Sequence, residues 1–355
     1  MIPDNTTDSR RFNYISDMKT VALLGVVLGH CMLFFAGNPF FPETAGFTSS
    51  WVVWICTFLD ASLIAGFVFC SGFLFANSLS RKNRTVLQCL ANRTKRFLVP
   101  YYLYGALWIV PLYTFFDINC FGRPENAGYL TGYLYMLLGC FSDHLWFLWM
   151  IFWVAAAFIL MKPLLTKKLL PLTFLLSVAL ALIVQYFLAD FPYFKLSQTA
   201  PYFICYFAGI CVYYFIEKIE KIPVSAMLVL AVIFFAGSMC YNQAAAVHFS
   251  LEWLCKLCGA LTVFCFFTAL DRFAFVKKIR ENKLWKYTEA HSMQMYLFNC
   301  PFVYLYFRLL KPLSSYTLLC VLVNFIITML TLYAIVWIQD KVKTIFRERM
   351  AKNNE

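Results

Sequence analysis

The chain has 355 residues, of which 62% are hydrophobic, 19% aromatic and only 14% charged. That composition excludes a soluble domain and leaves no soluble catalytic module, because apolar stretches of roughly 20 residues, enough to cross a bilayer core, recur along its whole length. The formal net charge of +12 calls for no nucleic-acid partner, since a basic bias in the inner loops of a membrane protein accounts for it.

Arg10 and Arg11 give the N-terminus a basic flank, but no small-residue cleavage site follows the apolar run that ends near Gly37. That run therefore reads as a retained helix rather than a removed signal. It is the first of about ten expected spans, at 20–37, 51–76, 97–117, 145–161, 169–189, 200–216, 223–243, 251–270, 291–310 and 316–338. All are expected to be helices, because a spanning backbone must satisfy its own hydrogen bonds. The segment 129–141 is apolar but short, and hydropathy alone leaves it as an eleventh span or a half-inserted helix. Charge separates the two. With ten spans and the N-terminus inside, 25 of the 30 lysines and arginines fall on the inner side; an eleventh span would move most of the later ones outside. The expectation is an all-α polytopic membrane protein, one domain over 1–355, with both termini cytoplasmic. Val86, Leu87 and Leu90 recur at helical spacing among Arg81, Lys82, Arg84 and Arg93. This predicts a short cytoplasmic interfacial helix within 78–96. Residues 339–355 read as a basic cytoplasmic tail. The only close cysteine pair, Cys255 and Cys258, has no histidine beside it, so no metal site is read.

His30 is an ionisable group within the first span, costly there unless sheltered and used. Its titration range suits a base that takes a proton from a hydroxyl; the plainer reading is a neutral core histidine bonded to a neighbouring helix. Lys19 stands three turns earlier, roughly 16 Å along the axis. The two cannot touch, but they can serve one elongated substrate. Asp60, at comparable depth on the second span, is a catalytic candidate as a carboxylate that orients the imidazole, or else a structural ion-pair partner. Ser71 and Gly72 suit a close helix crossing. Arg93 and Arg96 share one helix face at the inner mouth of the third span. They suit the phosphates of a soluble ligand or lipid headgroups. Asp143, His144 and Trp146, at the outer edge of the fourth span, suit an acceptor sugar, although tryptophan also gathers at membrane interfaces for solvation alone. Glu252 and Lys256 are four apart in the favourable order for a helix ion pair. His248 and His291 are assigned no role.

The order of motifs is more telling than any one of them. Tyr14-Ile-Ser-Asp17-Met-Lys19 leads to His30; Phe67-Val-Phe-Cys-Ser71-Gly72 follows; then Arg93-Thr-Lys-Arg96-Phe-Leu-Val-Pro100-Tyr; then His144-Leu-Trp146. This set resembles the acyltransferase-3 family of integral membrane acyltransferases. The likeness is dense over 11–150 and rests on span number and hydropathy beyond. It implies an O-acyltransferase with no bound cofactor, taking an acyl group, most often acetyl, from acyl-CoA on the cytoplasmic face. It implies a glycan or glycolipid acceptor in a bacterial envelope, and a place in the bacterial inner membrane. His30 would be the base or a transient acyl carrier. Lys19, Arg93 and Arg96 would bind the donor, and His144 and Trp146 the acceptor. Two positions depart from the pattern. Lys19 stands where the family usually has arginine, and a lysine lacks the planar two-pronged contact. Asn299, in Tyr296-Leu-Phe-Asn299-Cys-Pro301, stands where many members carry histidine. From the residues alone a proton-coupled transporter or flippase of a polar or lipid-linked solute is the rival, though no inverted repeat or pair of broken helices is found. A non-catalytic membrane scaffold is a third reading.

Overall fold

The computed structural model describes residues 12–37, 45–81, 84–118, 128–140, 143–240 and 249–352, and no strand occurs among them. Arg10, Arg11, Lys82, Cys120, Arg123 and His248 lie outside the described residues. In chain order the helices are α1 (Asn13–Leu33), α2 (Ser50–Arg81), α3 (Val86–Phe115), α4 (Tyr129–Leu137), α5 (Trp146–Leu160) and α6 (Leu170–Phe187). They continue with α7 (Tyr202–Tyr214), α8 (Val224–Met239), α9 (Phe249–Leu270), α10 (Ala274–Glu281), α11 (Lys283–Leu310) and α12 (Thr317–Lys352). By length and composition six can cross a membrane: α1, α2, α3, α6, α9 and α12. The helices α5, α7 and α8 are apolar but shorter. Large apolar side chains such as Leu107, Leu175, Val232 and Leu330 stand exposed around the outside. In water such a surface would drive aggregation; in a bilayer it is the lipid-facing wall, and the chain is a multi-pass membrane protein.

Several helices outrun the apolar stretches that announce them. The first expected span, 20–37, is instead a helix that starts at Asn13 and stops at Leu33, with Gly37 at positive φ beyond it. His30 consequently sits in the last turn of α1 rather than at mid-helix. α11 begins at Lys283, eight residues before the expected 291. α12 runs on through most of the tail expected over 339–355. The interfacial segment expected within 78–96 is not a separate helix. It starts at a capping box, in which Thr85 accepts from the Gln88 amide and Gln88 accepts in return, and it continues unbroken into the third span. Two π turns, Thr94–Leu98 and Gly105–Ile109, interrupt α3. Each ends just before a Val-Pro pair, Val99-Pro100 and Val110-Pro111. A widened turn carries the chain past a proline that lacks an N–H and crowds the carbonyl one turn back. α4 is nine residues long, too short to cross. It is tied to α3 by Tyr101, Tyr102 and Tyr133, whose hydroxyls donate to the carbonyls of Met136, Leu137 and Ala106.

The centre of the bundle is α2, which packs along α7, α9 and α1, with α11 on the far side of α1. α1 and α11 run in the same direction. Ser16 donates to Glu289 at one end, and Phe34 stacks on Phe307 at 3.8 Å at the other. α2 runs opposite to α1, with Leu59 beside Gly29 and Leu63 beside Gly25. The α2–α7 crossing is the closest backbone approach. A Cβ on Gly72 would collide with the Tyr206 carbonyl oxygen, and one on Gly209 with the Phe69 carbonyl. The small residue that the sequence singled out for close packing does that work.

Gly72→Ala should lower stability by about 1–3 kcal/mol, the usual penalty for overpacking, read as a lower thermal midpoint of the detergent-solubilised protein. Gly66→Ala, where an added methyl meets nothing within 4 Å, should leave the midpoint unchanged.

Candidate functional site

At the end of α1 farther from Lys19, His30 Nδ1 lies 2.7 Å from Asn299 Oδ1 on α11. The two residues stand 269 apart in sequence, and the family-like pattern marks both. The amide's own orientation is set, because Asn299 Nδ2 donates to the Tyr296 carbonyl at 2.5 Å. An amide oxygen can only accept. The neutral imidazole therefore carries its proton on Nδ1 and its lone pair on Nε2, the tautomer a general base requires.

Tyr296, one turn back on α11, donates its hydroxyl to the His144 carbonyl at 2.5 Å. His144 Nδ1 lies 3.3 Å from the Tyr113 hydroxyl. Its ring also lies near the Leu297 carbonyl and is close enough to His30 to feel its charge. The Leu297 carbonyl is available for a reason: Pro301, four residues on, has no N–H to give it. A polar string thus runs His30–Asn299–Tyr296–His144–Tyr113 across α1, α11, the turn before α5, and α3. It joins the catalytic candidate to one of the two acceptor candidates.

Trp146, the other acceptor candidate, faces a different cluster. Its ring centroid is 5.8 Å from Tyr202 on α7. The Tyr202 hydroxyl accepts from Lys256 Nζ at 3.0 Å. Lys256 lies 3.4 Å from Glu252 and 3.7 Å from Asp60. The structure thus sets Asp60 against Lys256 and gives His30 Asn299 as its hydrogen-bond partner. The Asp60 side chain is 52% exposed and that of Lys256 only 7%. The lysine is the buried charge here, and the two carboxylates balance it.

Near the start of α1, Lys19, Arg93 and Arg96 come together. Lys19 lies within electrostatic reach of Arg96, of Cys70 on α2 and of the Glu289 carboxylate on α11. Arg93 and Arg96 both border the Phe97 ring, with Cζ at 5.9 and 5.6 Å. Arg93 also lies 5.6 Å from the Phe75 ring. Among the described residues, none of the three is within ion-pairing distance of a carboxylate. Three cations near one carboxylate leave a patch of net positive charge, of a kind that suits an anion. It lies about 16 Å from His30 along α1.

Sequence reasoning missed Arg280. This residue of α10 grips Asp17, two residues before Lys19: Nε donates to Oδ2 at 2.7 Å and Nη2 bonds the same oxygen. Its Nη1 pairs with Asp271 at 2.6 Å. Burial alone pulls the guanidinium down, but the hydrogen bonds to Asp17 and Asp271 outweigh it and hold it above its ordinary value, so it stays charged. Asp17 is 3% exposed, and only a cation makes so buried a carboxylate tolerable. An acid this close to the start of an apolar helix was the available sign that a basic partner had to exist. His291, given no role from sequence, lies 3.1 Å from Asp340 on α12.

The family model described as an acyltransferase domain matches residues 12–338, essentially the whole chain. No curated protein and no solved structure gives a significant match.

Arg280→Ala should destabilise the protein by about 3–5 kcal/mol, because it strands a buried carboxylate. The neutral pair Asp17→Asn with Arg280→Gln should recover part of that loss, measured by thermal unfolding of both variants in one detergent.

Proposed function

The chain belongs to the acyltransferase-3 family of membrane acyltransferases, and from that premise we propose that it moves an acyl group, acetyl in the simplest case, from acyl-CoA to a hydroxyl of an envelope glycan or glycolipid. The observation that carries the reading is the His30–Asn299 hydrogen bond at 2.7 Å. It supports a base-ready imidazole at one end of α1, while the cations Lys19, Arg93 and Arg96 gather at the other.

On this reading the bundle has about ten spans with both ends cytoplasmic, α5, α7, α8 and α11 completing the six that length and composition single out. The positive-inside bias supports that sidedness. The diphosphate and ribose phosphate of the donor bind at Lys19, Arg93 and Arg96 on the cytoplasmic face. The pantetheine arm spans the interval to His30. There Nε2 takes the acceptor proton as the hydroxyl oxygen attacks the thioester carbonyl, and coenzyme A leaves as the thiol. Transient acylation of His30 would give the same products in two steps. The acceptor arrives from the opposite face, past His144 and Trp146, with Tyr202 beside them. Asp60 acts on this acceptor side, through Lys256. The setting is the cell membrane of a bacterium. Proton-coupled transport, the rival reading, gives no reason for three cations to converge in a patch of net positive charge.

With radiolabelled acetyl-CoA and membranes containing the protein, His30→Ala should abolish transfer without lowering abundance; an unaltered rate would remove His30 from the chemistry. Asn299→Ala should lower kcat about 100-fold, the lower end of a general-base contribution, since the base itself remains. Arg96→Ala should raise the acetyl-CoA concentration needed, while Arg84→Ala should do little. Equal effects of the two would mean a diffuse lipid-binding surface.

A further inference from the structure

Tyr206, on α7, is a residue of the basic region that the proposed chemistry does not yet use. Its side chain is fully buried. The ring stacks on Phe158 at 4.8 Å and stands 6.0 Å from Phe75, the ring that Arg93 borders from another side. The hydroxyl lies within electrostatic reach of both Arg93 and Arg96. The backbone beneath it is fixed by the α2–α7 crossing, where Gly72 lies against the Tyr206 carbonyl. Ring and main chain are therefore both held, and the hydroxyl has a set direction.

That hydroxyl makes no hydrogen bond among the described residues. Most buried polar atoms in folded proteins are satisfied, and the comparable hydroxyls of Tyr101 and Tyr296 find carbonyls. Phenylalanine would fill the same space without the desolvation that the hydroxyl suffers. The charged neighbours around it are guanidinium groups, which only donate. Among the described residues no acceptor reaches this hydroxyl, and an anionic one would suit its guanidinium neighbours.

We infer that the Tyr206 hydroxyl is the neutral hydrogen-bond donor of the donor-phosphate site, giving its proton to a non-bridging oxygen of the diphosphate of acyl-CoA while Lys19, Arg93 and Arg96 balance the charge. This rests on the reading of those three cations as the donor site. The division of labour follows from the side chains. Lysine is a compact point charge on a flexible stem. A hydroxyl on a clamped ring is oriented before the ligand arrives, and loses little freedom when it does. Tyr206 thus acts on binding of the donor rather than on the acyl transfer itself.

The test compares Tyr206→Phe and Arg96→Ala with the unaltered protein, using acetyl-CoA and acetyl-pantetheine, a thioester with no phosphate. Tyr206→Phe should raise KM for acetyl-CoA about tenfold, the size of one hydrogen bond to a charged group. It should leave kcat near its original value and kcat/KM for acetyl-pantetheine unchanged. Calorimetric binding of coenzyme A, which needs no chemistry, should weaken by the same factor. An unchanged KM and Kd in Tyr206→Phe, with both raised in Arg96→Ala, overturns the role of Tyr206 and leaves the donor site standing. An equal loss with both thioesters overturns the phosphate contact. If Arg96→Ala also leaves KM and Kd unchanged, the donor-site reading falls and this inference falls with it.

Discussion

A charged or polar side chain inside a bilayer must find its partner on another helix, because hydrocarbon offers none. α1 carries three such groups along one side of the bundle, and the structure treats them differently. Asp17 is closed by Arg280 from α10. His30 is held by Asn299 from α11. Lys19 meets Arg96, another cation, and has Glu289 within electrostatic reach without forming an ion pair with it among the described residues. The first two are satisfied within the protein; the third, with its arginine neighbours, leaves a patch of net positive charge. The helix arrangement follows from the same demand. α11 runs alongside α1 in register from Ser16–Glu289 to Phe34–Phe307, and that register brings Asn299 within reach of His30.

Prolines contribute to the site by what they remove. Pro301 leaves the Leu297 carbonyl without its helical donor, near the His144 ring. Pro100 and Pro111 each follow a π turn in α3. The first of these turns contains Arg96 and begins directly after Arg93. Two arginines three apart lie on one face of a regular α-helix, and here both border Phe97.

Helices were legible in the sequence wherever a long apolar run imposed them. Their ends were not, because the structure carries several of them past the apolar run. The first turns of α11 hold Lys283 and Lys286, which hydropathy reads as loop, yet Asn282 caps them. Local pairs were also legible: Glu252–Lys256 is four apart on one helix and forms as its spacing predicts. Pairs across helices were not. Asp60 and His30 sit at related depths, since Leu59 packs on Gly29 and Leu63 on Gly25. Depth does not fix azimuth, and Asp60 faces Lys256 on α9. Resemblance marked Lys19, His30, Arg93, Arg96 and the position of Asn299. That His30 and Asn299 touch, and that Arg280 answers Asp17 from 263 residues away, required the fold.

The exchange of histidine for asparagine at 299 then has a physical reading that the sequence alone did not supply. A second imidazole at that position would bring a second titrating group beside His30. The amide brings none. Its nitrogen is spent on the Tyr296 carbonyl, so its oxygen must face His30, and the proton of the neutral ring is fixed on Nδ1. A carboxylate there would also hold the ring, but it would add a buried negative charge that favours the imidazolium and needs its own compensation. The amide orients without charging. On the proposed chemistry this is what a base beside an incoming thioester needs: a neutral ring, held in one tautomer, with its lone pair turned away from the residue that holds it.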